Sequence, residues 1–512
     1  MANNLLDKSS IILTPTAYNN GEALCVKPSD GSGDFDFSRN SAATRVNAQG
    51  LVENVQSLGS ELVTNGTFDT DLSGWSSITN VTWSSNFGGS AFMNAVGTNA
   101  QFRQTISYEV GKTYRISWEV KENNGCDFFR VYNNNSYTNI TDNYIGTHYF
   151  DFTHTSGLNF ILRNDRVGSD ITIDNVSVKE VIDNTNLPRI NYENFSFDGS
   201  GNIIPNSGCG SWLFEPQSTN LIPYSEDFSQ WDTIGSPTIT SNFGISPDGT
   251  QNADRVQMNI GDRLFESSTT PNVSFSVYAK SNSGLTHTIN MRDGGGVVTY
   301  DMVITDKWQR FDVYLNTTMS NVQFRAYEDN IDVLFWGAQV EALSYASSLI
   351  PTSGSQVTRN QDLCTNGGSL ATINSTEGVL YAEIAALAND GTKRYISLSD
   401  GTNANDVRLY FDTNGYISVL SKVGGSTQSF INSNAYTQTD FNKVAFKYKE
   451  NDFALWINGV EVGTDNLGSV NAANTLNELA FFGNNLPFFG KTKALAVFPY
   501  LSDQELTELT TI

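Results

Sequence analysis

The stretch Thr113-Tyr-Arg-Ile-Ser-Trp-Glu-Val120 alternates without a break: Tyr114, Ile116, Trp118 and Val120 fall on one side and Thr113, Arg115, Ser117 and Glu119 on the other. A period of two is that of a β-strand with one face buried. The pattern returns in VSFSVYAKS (Val273 to Ser281), and its surroundings return with it. SELVTNGTFDTDLSGW ends at Trp75 and STNLIPYSEDFSQW ends at Trp231. THYFDFTH (147–154) matches WQRFDVYL (308–315), and DITIDNVSVKEV (170–181) matches IDVLFWGAQVEAL (331–343). Internal repetition of this kind predicts two β-sandwiches of one architecture.

Composition carries the same reading to the whole chain. At 512 residues the sequence is long enough for about three domains. Only 16% of residues are charged, so Asn, Ser, Thr and Gly supply the polarity; these prefer turns, while the 12% aromatic content suits pleated, half-buried surfaces. The expected class is all-β, with three tandem antiparallel β-sandwich (jelly-roll) domains behind an N-terminal attachment segment. A net charge of −24 opposes nucleic acid and anionic membrane surfaces as partners. No run of 18 apolar residues exists, and the start MANNLLDKSSIILTPTAY has no basic segment before an apolar one, so neither membrane insertion nor export is expected. Cys25, Cys126, Cys209 and Cys364 are far apart and form no metal or disulfide pattern, which predicts free, mostly buried thiols.

After about Leu363 the rhythm changes. GVLYAEIAAL, KRYISLSDG, DVRLYFDTNGYISVLSKVG and FNKVAFKYKENDFALWINGVEVG alternate strand with tight turn, and ALAVFPYLSDQELTEL passes into a short helix started by Ser502 with Glu505 three residues on. Residues 363–512 resemble the concanavalin-like, laminin-G-like lectin sandwich. The first repeat, 58–182, resembles the jelly-roll carbohydrate-binding modules attached to many glycoside-degrading enzymes, through LVTNGTF and ITIDNVSV. The second, 220–362, departs from that pattern. WLFEPQSTNLIPYSEDFSQW and FWGAQVEALSYASSLIPTSGSQVTRNQD instead resemble a module of tailed-bacteriophage structural proteins, whose opening is matched by DFDFSRNSAATRVNAQGLVENV (34–55). In that module the opening runs almost directly into a segment like LPRINYE, which begins here at Leu187. Residues 58–182 therefore read as an insertion between an attachment segment, 1–57, and connecting strands, 183–219. Residues 1–33 have no periodicity and read as a docking arm ordered on a partner.

Catalysis needs placed acids, bases or nucleophiles, and the sequence offers little. There are three histidines: His148 and His154 read as solvent-facing strand residues and His287 as a lone strand histidine. RDGGGV (292–297) lacks the lysine of a phosphate loop and reads as a plain loop. No enzyme activity is expected. The resemblance to carbohydrate-binding modules implies a structural calcium at Asp69 and Asp174, against the plainer reading of a turn residue and a sheet-edge cap. Sugar recognition uses aromatic faces flanked by hydrogen-bonding side chains. Trp83, Tyr132 and Tyr137 lie near Asn-rich turns and are candidates for such a platform; core or subunit-contact roles are the alternative. Trp75, Trp118, Trp231, Trp336 and Trp456 are expected in cores.

Together the resemblances imply a bacteriophage virion structural protein, a head or tail fibre or spike made in the host cytoplasm and displayed on the virion surface. Its expected partners are host cell-surface glycans and the capsid or tail proteins of the same particle, with no nucleic acid. A homo-oligomer is expected, a trimer before a dimer. The alternatives are a secreted bacterial carbohydrate-binding protein, a depolymerase, and a capsid decoration protein that binds no glycan.

Overall fold

The computed structural model describes residues 3–140, 145–183, 185–192, 196–197, 203–204 and 209–511. The string LPRINYE thus ends, at Glu193, outside the described residues, as do parts of the connecting segment after it. The chain forms two compact units: residues 1–55 with 185–248 and 252–512, and residues 56–184 with 249–251. The class is all-β and the sheets are antiparallel. Among the described residues no helix is long and apolar enough to cross a membrane.

The smaller unit is a two-sheet sandwich. One sheet runs Gly146–Thr153, Thr113–Asn124, Asp170–Asp183, Ser90–Asn94, Val81–Ser84, with Ser57–Glu61 also on Asp170–Asp183. The other runs Ser136–Ile140, Phe129–Asn133, Asn159–Asn164, Ala100–Thr105, Ser76–Thr79. The predicted inward set Tyr114, Ile116, Trp118 and Val120 is buried between them. The unit's first and last strands are paired, Ser57 opposite Asp183, so the chain arrives and leaves at neighbouring points.

The larger unit holds a second sandwich with the same strand order. Gln309–Leu315, Val273–Ser281, Ile331–Glu341, Ala253–Met258 and Thr238–Gly244 form one sheet; Thr299–Ile304, His287–Asp293, Asn321–Ala326, Arg263–Ser267 and Asp232–Ile234 form the other. The repeats match in detail. The indole of Trp75 donates to the Asn65 carbonyl and that of Trp231 to the Tyr224 carbonyl, both at 3.0 Å. The last strand of each sandwich bulges at the corresponding place, where Asn175 (φ 50°) in one and Gly337 (φ 62°) in the other adopt the left-handed conformation that Asn and Gly tolerate. Trp336 therefore occupies the position of Asp174.

In the same unit a third sandwich packs Glu377–Ala386, Asn442–Lys449, Phe453–Ile457, Val460–Asp465 and Gly490–Phe498 against Ser426–Ala435, Tyr416–Val423, Asp406–Phe411, Arg394–Ser399 and Glu478–Ala480. The expected C-terminal helix is Asp503–Thr510, with the Ser502–Glu505 capping box formed. Here the expectation of a free N-terminal arm needs correcting. Ile11–Leu13 pairs with the last strand of this sandwich, and Leu5 and Ile12 pack with Leu506 and Leu509. Three consecutive apolar residues are too short to show a period, and their partner lies at the far end of the sequence.

Segments around residues 34–55, 187–192, 212–217 and 356–362 converge on one buried network. Arg39 comes from DFDFSRN, Arg189 from LPRINYE, Glu215 from WLFEPQ, and Arg359 and Asp362 from QVTRNQD. Arg189 pairs with Asp362 and, at 2.6 Å, with Glu215; Arg359 reaches Glu215 at 2.8 Å, and Arg39 reaches Asp362 at 3.1 Å. Burial opposes ionisation of Glu215, but Arg359 and Arg189 outweigh it and hold the carboxyl well below the usual range.

His148 and His154 are buried, not solvent-facing. His148 lies flat on Trp118, with centroids 5.4 Å apart and 8° between planes, and His154 stacks on Tyr108 at 4.7 Å. The period-two pattern of THYFDFTH already puts both on the side of Phe150 and Phe152. None of the four cysteines is in a disulfide; Cys126 and Cys364 are buried, Cys25 is half-buried and Cys209 is exposed.

Candidate functional site

Alternation along the strands of the smaller unit sends Phe129, Val131, Phe160 and Leu162 into the core and their neighbours outward. The register aligns those outward residues into two rows across five strands. One row reads Asn139, Arg130, Arg163, Gln101, Thr79; the other reads Tyr137, Tyr132, Ile161, Arg103, Ser76. Tyr132 and Tyr137 are direct cross-strand neighbours and meet edge to face, with centroids 4.8 Å apart and 64° between planes. Arg163 donates to the Tyr137 hydroxyl at 3.2 Å and lies 5.4 Å from its ring centroid. Arg130 and Arg163, opposite each other, share Asp165 at 3.0 and 2.5 Å, so two like charges are joined through one carboxylate.

This face offers ring surface for sugar C–H groups and a line of amides and guanidinium groups for hydroxyls. Of the three aromatic residues expected to form a platform, the structure brings together Tyr132 and Tyr137. Trp83 is on Val81–Ser84 at the edge of the other sheet, where its indole donates to the Phe68 carbonyl at 2.6 Å. Arg130, Arg163, Gln101 and Asn139 were not singled out from the sequence. A signal was available in FRVYN, where Arg130 and Tyr132 alternate with the apolar Phe129 and Val131; NFILRN lacks it, because Ile161 is apolar.

Asp174 is buried at the bulge, accepts the Asn175 amide at 2.7 Å and faces the Lys121 ammonium at 3.8 Å. Burial raises its pKa, and the charges of Glu119 and Asp69 add to the rise while the Asn175 amide and Lys121 oppose it. Asp69 is exposed. Calcium takes six to eight oxygen ligands. Two carboxylates, one already facing an ammonium, with the Phe68 carbonyl committed to Trp83, do not supply such a shell. Among the described residues no group of three or more His, Cys, Asp or Glu side chains is placed to hold a metal.

The larger unit contains a cavity of about 190 Å³ bordered by Asn191, Tyr278, Arg310, Tyr345 and Lys491. Arg310 holds its rim together by donating to the Ser347 carbonyl at 2.6 Å and the Ser276 hydroxyl at 3.0 Å.

No protein-family model matches the chain, and no curated protein does. Solved structures match parts of it. The CBM40 of Ruminococcus gnavus IT-sialidase, bound to alpha2,3 sialyllactose, aligns over 27% of this chain and 83% of its own at 19% identity, with a TM-score of 0.24. The CBM22 tandem of Paenibacillus barcinonensis Xyn10C aligns over 56% and 98% at 13% identity, with a TM-score of 0.20. Domains LG4-5 of the mouse laminin alpha1 chain align over 48% and 88% at 8% identity, with a TM-score of 0.19. Likenesses at these scores say nothing about which ligand this chain takes.

Proposed function

We propose that this chain is a non-catalytic adhesin that holds saccharides on the outer sheet face of residues 56–184. The supporting observation is the opposed pair Tyr132 and Tyr137, set in a strip of Arg130, Arg163, Gln101 and Asn139. A pyranose ring laid on the tyrosines has the donors and acceptors of the neighbouring row beside it. Asp165 is engaged by two arginines, as a positioning group and not as a free acid. The wider reading is a bacteriophage fibre or spike on the virion surface, attached to capsid or tail proteins and gripping host glycans through several copies, three before two. Avidity then multiplies weak single sites. Behind that reading stand the phage-like strings, whose charged residues build one buried network.

The test is a glycan array and a host-polysaccharide pull-down with the full chain and with Tyr132→Ala/Tyr137→Ala. Retention of the parent and loss of about tenfold or more in the variant are expected, at unchanged melting temperature. Equal binding by both proteins removes the assigned face. Release of new reducing ends from the polysaccharide removes the non-catalytic reading, and antibody labelling that fails to find the chain on intact particles removes the virion reading.

A further inference from the structure

The second sandwich presents the corresponding sheet face, built differently. Its outward residues also form two rows: Ile234, Arg263, Arg325, Asn290, Asp301, and beside them Asp232, Phe265, Gln323, Arg292, Thr299. Arg263 lies directly opposite Arg325. Like charges in that relation destabilise a sheet unless something lies between them. On the first face Asp165, two residues beyond Arg163, bridges the arginine pair. Two residues beyond Arg325 the chain has Tyr327 instead. Neither Arg263 nor Arg325 forms an ion pair among the described residues, and the Nε of each is buried without a hydrogen-bond partner. Arg255, on the other sheet of the same sandwich, shows the ordinary outcome by closing on Asp332 at 2.6 Å.

The polar groups around this pair are fixed and largely desolvated. Asn290, Gln323 and Arg292 point away from the core yet are only 4%, 3% and 8% exposed. Asn290 Nδ2 donates to Asp301 at 2.7 Å and Gln323 Nε2 to the Gly294 carbonyl at 3.1 Å, while Asn290 Oδ1 and Gln323 Oε1 accept nothing. The wall over them is the glycine loop after Arg292. Gly296 has φ 70°, a backbone angle that favours glycine, and a side chain there would have to displace the Arg292 guanidinium. Arg292 donates to the Tyr327 hydroxyl at 3.1 Å, and the Tyr327 ring, 51% exposed, lies 4.9 Å from the Arg325 guanidinium.

We infer that this face is a second saccharide site, specific for an anionic saccharide whose acidic group joins Arg263 and Arg325 as Asp165 joins Arg130 and Arg163 on the neighbouring strand pair of the first face. A sugar ring lies on the exposed Tyr327, beside the arginine pair. In a chain of net charge −24, an unneutralised arginine pair is a local exception that selects for anions. The inference stands apart from the first face, because separate residues form it.

The test is affinity electrophoresis of the full chain in gels containing oligogalacturonate, dextran sulfate or phosphomannan, which offer carboxylate, sulfate and phosphate on saccharide chains. Methyl-esterified oligogalacturonate and oligothymidylate are the neutral and nucleic-acid controls. Retardation is expected with at least one anionic saccharide, falling roughly tenfold or more in Arg263→Gln/Arg325→Gln and recovering in part in Arg263→Lys/Arg325→Lys. Retention should also weaken as salt rises. Tyr132→Ala/Tyr137→Ala should leave this retardation in place, which separates failure here from failure of the first face. No retardation by any of the three polymers, equal retardation by the methyl ester, equal loss of oligothymidylate binding, or an unaffected glutamine variant with parental melting temperature would each overturn the inference.

Discussion

Arg39 and Asp362, 323 positions apart in sequence, meet at 3.1 Å with both side chains fully buried. Asp362 also takes Arg189 and the Glu215 amide, so a single carboxylate ties three distant segments together. Removing one member of such a network leaves buried charge uncompensated. Asp362→Asn is expected to cost about 3–5 kcal/mol in denaturant unfolding. A change under about 1 kcal/mol would show that the network is incidental to stability.

In the smaller unit, a Cβ on Gly66 would lie 1.9 Å from the Val176 carbonyl, beside the bulge at Asn175. Backbone at that distance cannot yield as a flexible side chain can. Gly66→Ala should destabilise residues 56–184 by a few kcal/mol. Hydrogen exchange on the full chain should then show faster exchange in Asp170–Asp183, with Val273–Ser281 unchanged.

Glu226 and Asp254 give the larger unit a pH dependence. Burial, then Asp248 and Asp254, raises Glu226 to about 7; burial, with Asp227 adding, raises Asp254 to about 6 against the amides of Asn242 and Phe228 that bond it. Both acids are more easily protonated folded than unfolded. Their contribution is therefore complete below the ordinary carboxylate range and is lost as pH rises through about 6 to 7. The melting temperature should fall from the ordinary carboxylate range up to about pH 7, and Glu226→Gln should flatten the fall. A Glu226→Gln profile parallel to the parent's would rule out this source.

Calcium should not stabilise the smaller unit. Because Lys121 already faces Asp174, adding calcium or a chelator is expected to leave thermal unfolding unchanged within about 1 °C, whereas a cation shared by Asp69 and Asp174 would raise the midpoint by several degrees. Calorimetry with and without the ion decides between them.

Period-two patterning made both repeated sandwiches legible, because strands such as Thr113–Asn124 bury alternate side chains. It failed where a segment is short, as for Ile11–Leu13, whose partner strand ends the chain. At His148 and His154 position decides over residue type: both share a side with Phe150 and Phe152, and both are buried. At the candidate site the tyrosines could be picked out as aromatic residues in Asn-rich turns, but their juxtaposition depends on register, which one strand's sequence does not contain. The same holds for Arg263 and Arg325: each is an unremarked outward residue until pairing sets them face to face.

Ser57 and Asp183 stand side by side at the margin of one sheet, so the flanking polypeptide has to bridge only a single inter-strand gap, about 5 Å. On the proposed function, a genetic exchange at those two points replaces the Tyr132–Tyr137 face in one event and leaves the Arg263–Arg325 face in place. Residues 56–184 have the form of a replaceable cassette, through which a lineage can acquire a new target faster than point substitution on a fixed surface would allow.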